Sequence, residues 1–335
     1  MNERTHAWIA IRAIALLEDT GLEKGLVTLL KPHARKASVG AWIPDQVDAK
    51  RGGAGNITEC HVLKMEPYEG TQKVRFVVKK DELLERIGML RRTAQFLQTD
   101  STLSKDWWSM PFKGDVPKAG QHLPNRIMAL ATMLKDLLLM GDEQVDHLIP
   151  GEIRFAQYLA PELRTREEAA AAYFFMLSHF VADAHMPCHC DGRKLAGYDK
   201  GLHKELESYW SRKVGTNFEK KYLLGDDFGT NILQVARNVD AKIDLVFDNE
   251  PLPDINKKHD IWLEAVYLCR ATFAMASIIA PCSKYPYGGN QRAPFSTLFA
   301  DDNKQLLDEM SSTVMHDAVL STAIIWKHLW NKVSF

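Results

Sequence analysis

At 335 residues the chain is long enough for one large domain or two modest ones. Its apolar content of 46% and charged content of 25% are ordinary for a soluble globular protein, and five cysteines without framework spacing exclude a disulfide scaffold and fit a reducing compartment. The net charge of −1 excludes a global field that attracts nucleic acid, so any nucleic-acid substrate would have to be held by the site itself.

Along the chain, Thr5 can cap a first helix running to about Asp19, with Gly21 just beyond it. Its inward stripe would be His6, Ile9, Ala10, Ala13, Leu16 and Leu17. No signal peptide is expected, because Glu3, Arg4 and Arg12 charge the opening segment; the expected location is cytoplasmic. Residues 31–62, broken by Pro32, Pro44 and Gly52-Gly53-Ala54-Gly55, read as loops and short helices. Lys73 to Lys79 is the one plausible strand, and Asp81 to Leu97 is helical in pattern. Trp107 to Gly120 reads as an exposed loop, so residues 64–122 are expected to form an insertion or lid. Further helices are expected from Pro124 to Met140, Gly229 to Phe247, His259 to Ala280 and Lys304 to Trp330. Glu264 and Arg270 make the most apolar of these a poor membrane span. Without repeat or linker, the economical reading is one all-α, multi-helical domain over residues 1–335.

The chemistry is concentrated in the middle. Thr165 followed by Glu168 is a capping box, and the helix it starts runs to about Ala184, where Pro187 stops it. His179 and Asp183 lie four apart near its end, His189 falls in the following turn, and His203 and Glu207 lie four apart on a helix from Gly201 to Arg212. Four-residue spacing puts each pair on one helix face. Two such pairs with a fifth ligand between them can converge on more than one metal ion. Imidazole and carboxylate ligands suit hydrolytic zinc better than a structural site, which favours thiolates. Cys188 and Cys190 flank His189 and are expected as buried or supporting thiols, with ligation the alternative; His185 is expected to support or pack. His33, His122, His147, His259, His316 and His328 lack ligand-spaced partners. Trp107 and Trp108 read as a packing anchor, and Lys304 to Trp330 as a core helix.

The run His179-Phe180-Val181-Ala182-Asp183-Ala184-His185-Met186-Pro187-Cys188-His189 resembles the signature of the zinc-dependent phospholipase C and S1/P1 nuclease superfamily. Thr5-His6-Ala7-Trp8-Ile9, Trp42-Ile43-Pro44-Asp45 and His61 resemble its other ligand-bearing segments. The resemblance implies an all-helical fold and a phosphodiesterase holding two to three zinc ions. It implies a first zinc on Asp45, His61, His179 and Asp183, and a second on His189, His203 and Glu207. A third would sit on His6 and the chain's N-terminus, with Asp183 bridging. Asp48 is the alternative to Asp45, and a histidine placed as His6 is, read alone, more often a packed core residue than a ligand. In the family a first-residue tryptophan supplies backbone ligands; here Met1 would do so, since Asn2 hinders methionine removal, and a frayed, empty third site is the alternative.

Asp45 is the residue expected to orient the attacking water as a catalytic base. Glu207, where the nucleases have aspartate, favours a phospholipase C-like hydrolase of phosphodiesters. The alternatives are an S1/P1-type nuclease acting on single-stranded nucleic acid or nucleotides, and a non-catalytic zinc-binding protein. Neither specificity pocket is evident: Gln46 stands where the phospholipases place tyrosine, and Val62 where the nucleases place an aromatic. No integral membrane segment and no protein partner are expected.

Overall fold

Several helices start where a side-chain acceptor meets free backbone N–H groups, at Asn2, Thr165, Asn231 and Asp260. The computed structural model describes residues 1–21, 23–45, 60–65, 123–140, 165–193, 195, 201–225, 231–247, 251–255, 260–281, 284–286 and 292–333. Among them are α1 (Glu3–Thr20), α2 (Lys24–Leu30), α3 (Ala34–Ala37), α4 (Leu123–Leu139), α5 (Arg166–Asp183) and α6 (Pro187–Cys190). They continue with α7 (Leu202–Val214), α8 (Lys220–Leu223), α9 (Ile232–Asp240), α10 (Ile261–Ile279), α11 (Phe295–Leu298) and α12 (Lys304–Val333). The described chain is all-α, its one piece of β pairing there being a parallel bridge between Met65 and Asp191.

The first helix begins earlier than expected. Asn2, not Thr5, is its cap: the Asn2 side chain accepts from the Thr5 amide at 3.4 Å, and Thr5 lies inside the first turn. Gly21 closes it at φ +66°, a left-handed conformation that glycine adopts without Cβ strain. Nor does α1 present one stripe inward: Thr5 to Leu17 are all buried, because other helices surround it. Trp8 Nε1 donates to Ala236 O of α9 at 3.0 Å, and Arg12 pairs with Asp240 at 2.8 Å while lying over Phe247.

At the centre α5 is buried from Ala169 to Asp183, its alanines letting neighbours approach closely. The expected capping box is present, with Thr165 Oγ1 accepting from the Glu168 amide at 3.2 Å. α5 ends at Asp183, short of Pro187, and Pro187 instead opens the single turn of α6, placing His189 in a helix. α12 is the expected core helix, buried on nearly every side from Thr313 to Lys327. α9 ends at Asp240, well before Phe247: the Lys242, Ile243 and Leu245 amides fold back onto Val239 and Asp240 carbonyls, and Asp244 takes a positive φ of 52°.

Among the described residues no helix is long and apolar enough to cross a membrane. Of the insertion expected over residues 64–122, residues 66–122, with the strand, helix and Trp107-Trp108 loop, lie outside the described residues, as do Asp48, His122, His147 and His259.

Candidate metal centre

The helical four-residue repeat places His179 and Asp183 one turn apart at the buried end of α5. His179 Nδ1 donates to Ala41 O at 2.6 Å, which puts the ring proton there and leaves the Nε2 lone pair facing inward. Ala41 lies on the 3-10 turn Ser38–Trp42, pressed against α5 and tied to α1 by Trp42 Nε1 donating to Glu3 O. The same stretch delivers Asp45. His61 comes from a segment that zips onto the α6 region: the Leu63 amide donates to His189 O at 3.0 Å and the Met65 amide to Cys190 O at 2.9 Å.

These four side chains face one another. His61 Nδ1 lies 2.8 Å from Asp183 Oδ2 and 3.1 Å from His179 Nε2. His179 Nε2 lies 3.2 Å from Asp183 Oδ2 and 3.5 Å from Asp45 Oδ1, and His61 Nδ1 lies 3.9 Å from Asp45 Oδ1. Neighbouring ligands around tetrahedral zinc stand about 3.3 Å apart, given Zn–N and Zn–O bonds of about 2.0–2.1 Å. The five separations bracket that value.

A second set stands beside it. On α7, His203 Nε2 lies 3.0 Å from Glu207 Oε1, and His189 Nε2 on α6 lies 3.0 Å from His203 Nε2. A third gathers at the N-terminus. The Met1 amine, fully buried, is 3.2 Å from Asp183 Oδ1 and 3.1 Å from Glu207 Oε1. His6 Nε2 is 3.5 Å from Asp183 Oδ1, and its ring stacks on His179 at 3.8 Å. Asp183 therefore divides its carboxylate: Oδ2 faces the first set, and Oδ1 faces Met1, His6 and, at 3.3 Å, His189 Nδ1.

Electrostatics set the protonation states. Burial, with His179 and the nearby amine, holds His6 well below the usual imidazole range, and burial holds His189 down to about 3. Burial alone would raise Asp183 and Glu207. The Met1 ammonium and adjacent histidines more than offset it, so both carboxyls stay well below their ordinary values. The Met1 amine is lowered by burial, but Glu207, Asp183 and Asp45 hold it up to about 11. Neutral imidazoles and ionised carboxylates are the forms that ligate metal ions.

Several donors are left over. Both ring nitrogens of His6 and Nδ1 of His189 are buried without a hydrogen bond, a cost of about 1–3 kcal/mol per group in a protein interior. A cation satisfies such lone pairs. Three groups could hold one: His6, Asp45 and His179; His61, His179 and Asp183; and His189, His203 and Glu207.

All nine candidate ligands of the sequence thus lie together. His185 lies apart, its Nδ1 donating to Val181 O at 2.8 Å and its Nε2 3.1 Å from Ser321 Oγ of α12. Burial pushes the Cys188 thiol up to about 12, and burial with Cys269 holds Cys190 well above the usual thiol range, so neither is a thiolate on its own. His33, His316 and His328 belong to none of the three groups; His316 pairs with Asp317 and stacks on Phe247. The sequence reading missed the orienting carbonyl of Ala41, which no residue type announces. It also missed Asn2, whose capping chemistry ahead of a helical run was legible.

No protein-family model, curated protein or solved structure matches the chain.

Proposed function

We propose that the chain is a multinuclear zinc hydrolase of phosphoric esters, of the phospholipase C type. The observation that carries this reading is the divided carboxylate of Asp183, one oxygen toward each of two histidine-containing donor sets. Asp45, His61, His179 and Asp183 would hold one zinc; His189, His203 and Glu207 a second; His6, Asp183 and the Met1 backbone a third. The nitrogen and oxygen donors suit catalytic rather than structural zinc. Zinc ions bound there supply a water of lowered pKa and neutralise charge on the phosphoryl and leaving oxygens.

The chain's own residues divide the remaining work. Asp183 and Glu207 are 1% and 9% exposed at the side chain and serve as fixed ligands. Asp45 is 41% exposed, the one carboxylate of the cluster open to solvent. It is therefore the group to orient the attacking water and accept its proton. Ala41 O holds His179 in its ligating tautomer. The Met1 ammonium sits between Asp183 and Glu207, where a positive charge is favoured. With a dication held by Asp183 beside it, Met1 would serve as a neutral amine ligand, its intrinsic pKa being about 8.

Zinc-loaded protein is expected to hydrolyse bis-(p-nitrophenyl) phosphate, to lose the rate to a chelator and to regain it with zinc. A panel of phospholipid, single-stranded DNA, RNA and cyclic nucleotides then locates the natural ester. Cleavage confined to nucleic acid would replace the phospholipase C-type reading with a nuclease. Full zinc occupancy with no ester cleaved on any arm would leave a zinc-binding protein without this activity.

A further inference from the structure

A small cleft is lined in part by His203 of the second donor set, so it adjoins the candidate metal centre. It encloses about 80 Å³, room for several non-hydrogen atoms but not for a long acyl chain. Much of its described lining is aliphatic: Leu195, Leu202 and Leu206, with Ala276 and Ile279 of α10. Asp191 and Arg193 also line it, but their charges cancel: Arg193 Nη2 lies 2.6 Å from Asp191 Oδ2, Nε donates to the same carboxylate, and Nη1 donates to the Ala280 and Tyr285 carbonyls. Lys64 stands at the rim, exposed, giving one proton to Cys188 O and keeping two donors for a ligand.

Quaternary ammonium groups are recognised by aromatic faces and by unpaired carboxylates. Among the described residues lining the cleft there is no phenylalanine, tyrosine or tryptophan, the carboxylate of Asp191 is paired with Arg193, and Lys64 adds a positive charge. We infer that the cleft is a subsite for a small aliphatic, non-cationic substituent of the phosphoric ester, with Lys64 selecting against cationic head groups. The inference rests on the phosphoric ester reading above and names the class of ester it would favour: one carrying a short uncharged or anionic aliphatic group rather than choline.

Three non-hydrolysable or slowly turned-over probes test this by titration calorimetry on the zinc-loaded chain: methylphosphonate, butylphosphonate and phosphocholine. Butylphosphonate is expected to bind about tenfold or more tighter than methylphosphonate, the scale of discrimination that filling a small apolar pocket provides. Phosphocholine is expected to bind more weakly than butylphosphonate. Ile279→Ala should shrink the butyl-to-methyl ratio by removing wall contacts. Lys64→Glu, a change at an exposed position, should narrow or reverse the gap between phosphocholine and butylphosphonate. Equal binding of methyl- and butylphosphonate, or tightest binding of phosphocholine to the unsubstituted chain, would overturn the subsite while leaving the phosphoric ester reading standing. No binding of any probe to protein shown to hold zinc, together with no ester cleaved, would overturn both.

Discussion

Asp45 and Asp183 are both aspartates of one cluster, and their surroundings assign them different tasks. Asp183 is buried and meets donors through both oxygens, so its loss removes a shared ligand. Asp45 meets the first donor set at 3.5 and 3.9 Å and stays open to water. Asp45→Asn should therefore keep most of the metal but lower kcat on an activated diester by about 10²–10⁴-fold, the usual weight of a positioned base. Steady-state rates beside zinc content separate the two effects; a variant with full activity would remove Asp45 from the base role. The Met1 amine permits a second test at this scale. A short N-terminal extension converts it to an amide and should reduce bound zinc by one ion per chain and cut activity. An extended protein with unchanged zinc and rate would show that Met1 is no ligand.

At the scale of elements, the site depends on a close approach between α5 and the Ser38–Trp42 turn. A Cβ on Gly40 would stand 3.0 Å from Ala172 O and 3.3 Å from Phe175 Cβ, so only glycine fits without displacing backbone. Gly40→Val should push the turn away and carry Ala41 O from His179. Zinc affinity should fall about 10–100-fold, as for other groups that orient a ligand. A competition titration with a chromogenic chelator measures this, and unchanged affinity would show that the carbonyl contact is dispensable.

Elements whose determinants are local were legible in the sequence. The Thr165–Glu168 capping box and the His179–Asp183 and His203–Glu207 repeats act within one helical turn, so sequence spacing carries them directly. The start of α1 was misjudged because two cap-type residues, Asn2 and Thr5, compete, and the side-chain acceptor that wins lies one turn earlier. The end of α9 was misjudged because its turn is closed by backbone hydrogen bonds around Asp244, which hydrophobic patterning does not report. The pairing of the His61 segment with the α6 region is long-range and backbone-mediated, and it left no mark on residue type.

For the whole molecule, the cluster draws on α1, α5, α6, α7 and the segments carrying Asp45 and His61, so the proposed metal binding would be coupled to folding. Zinc at about a thousand times its Kd would add about 4 kcal/mol to stability. Chelation should then lower the melting temperature by roughly 5–10 °C for a chain of this size. Calorimetric scans with and without chelator report it directly, and coincident transitions would deny the coupling. The central claim is that one carboxylate joins separate zinc sites, and counting metal tests it most directly. Emission spectrometry on the unsubstituted protein should find two to three zinc ions per chain, and on Asp183→Ala at least two fewer. Equal zinc in both proteins, or none in either after reconstitution, would contradict it.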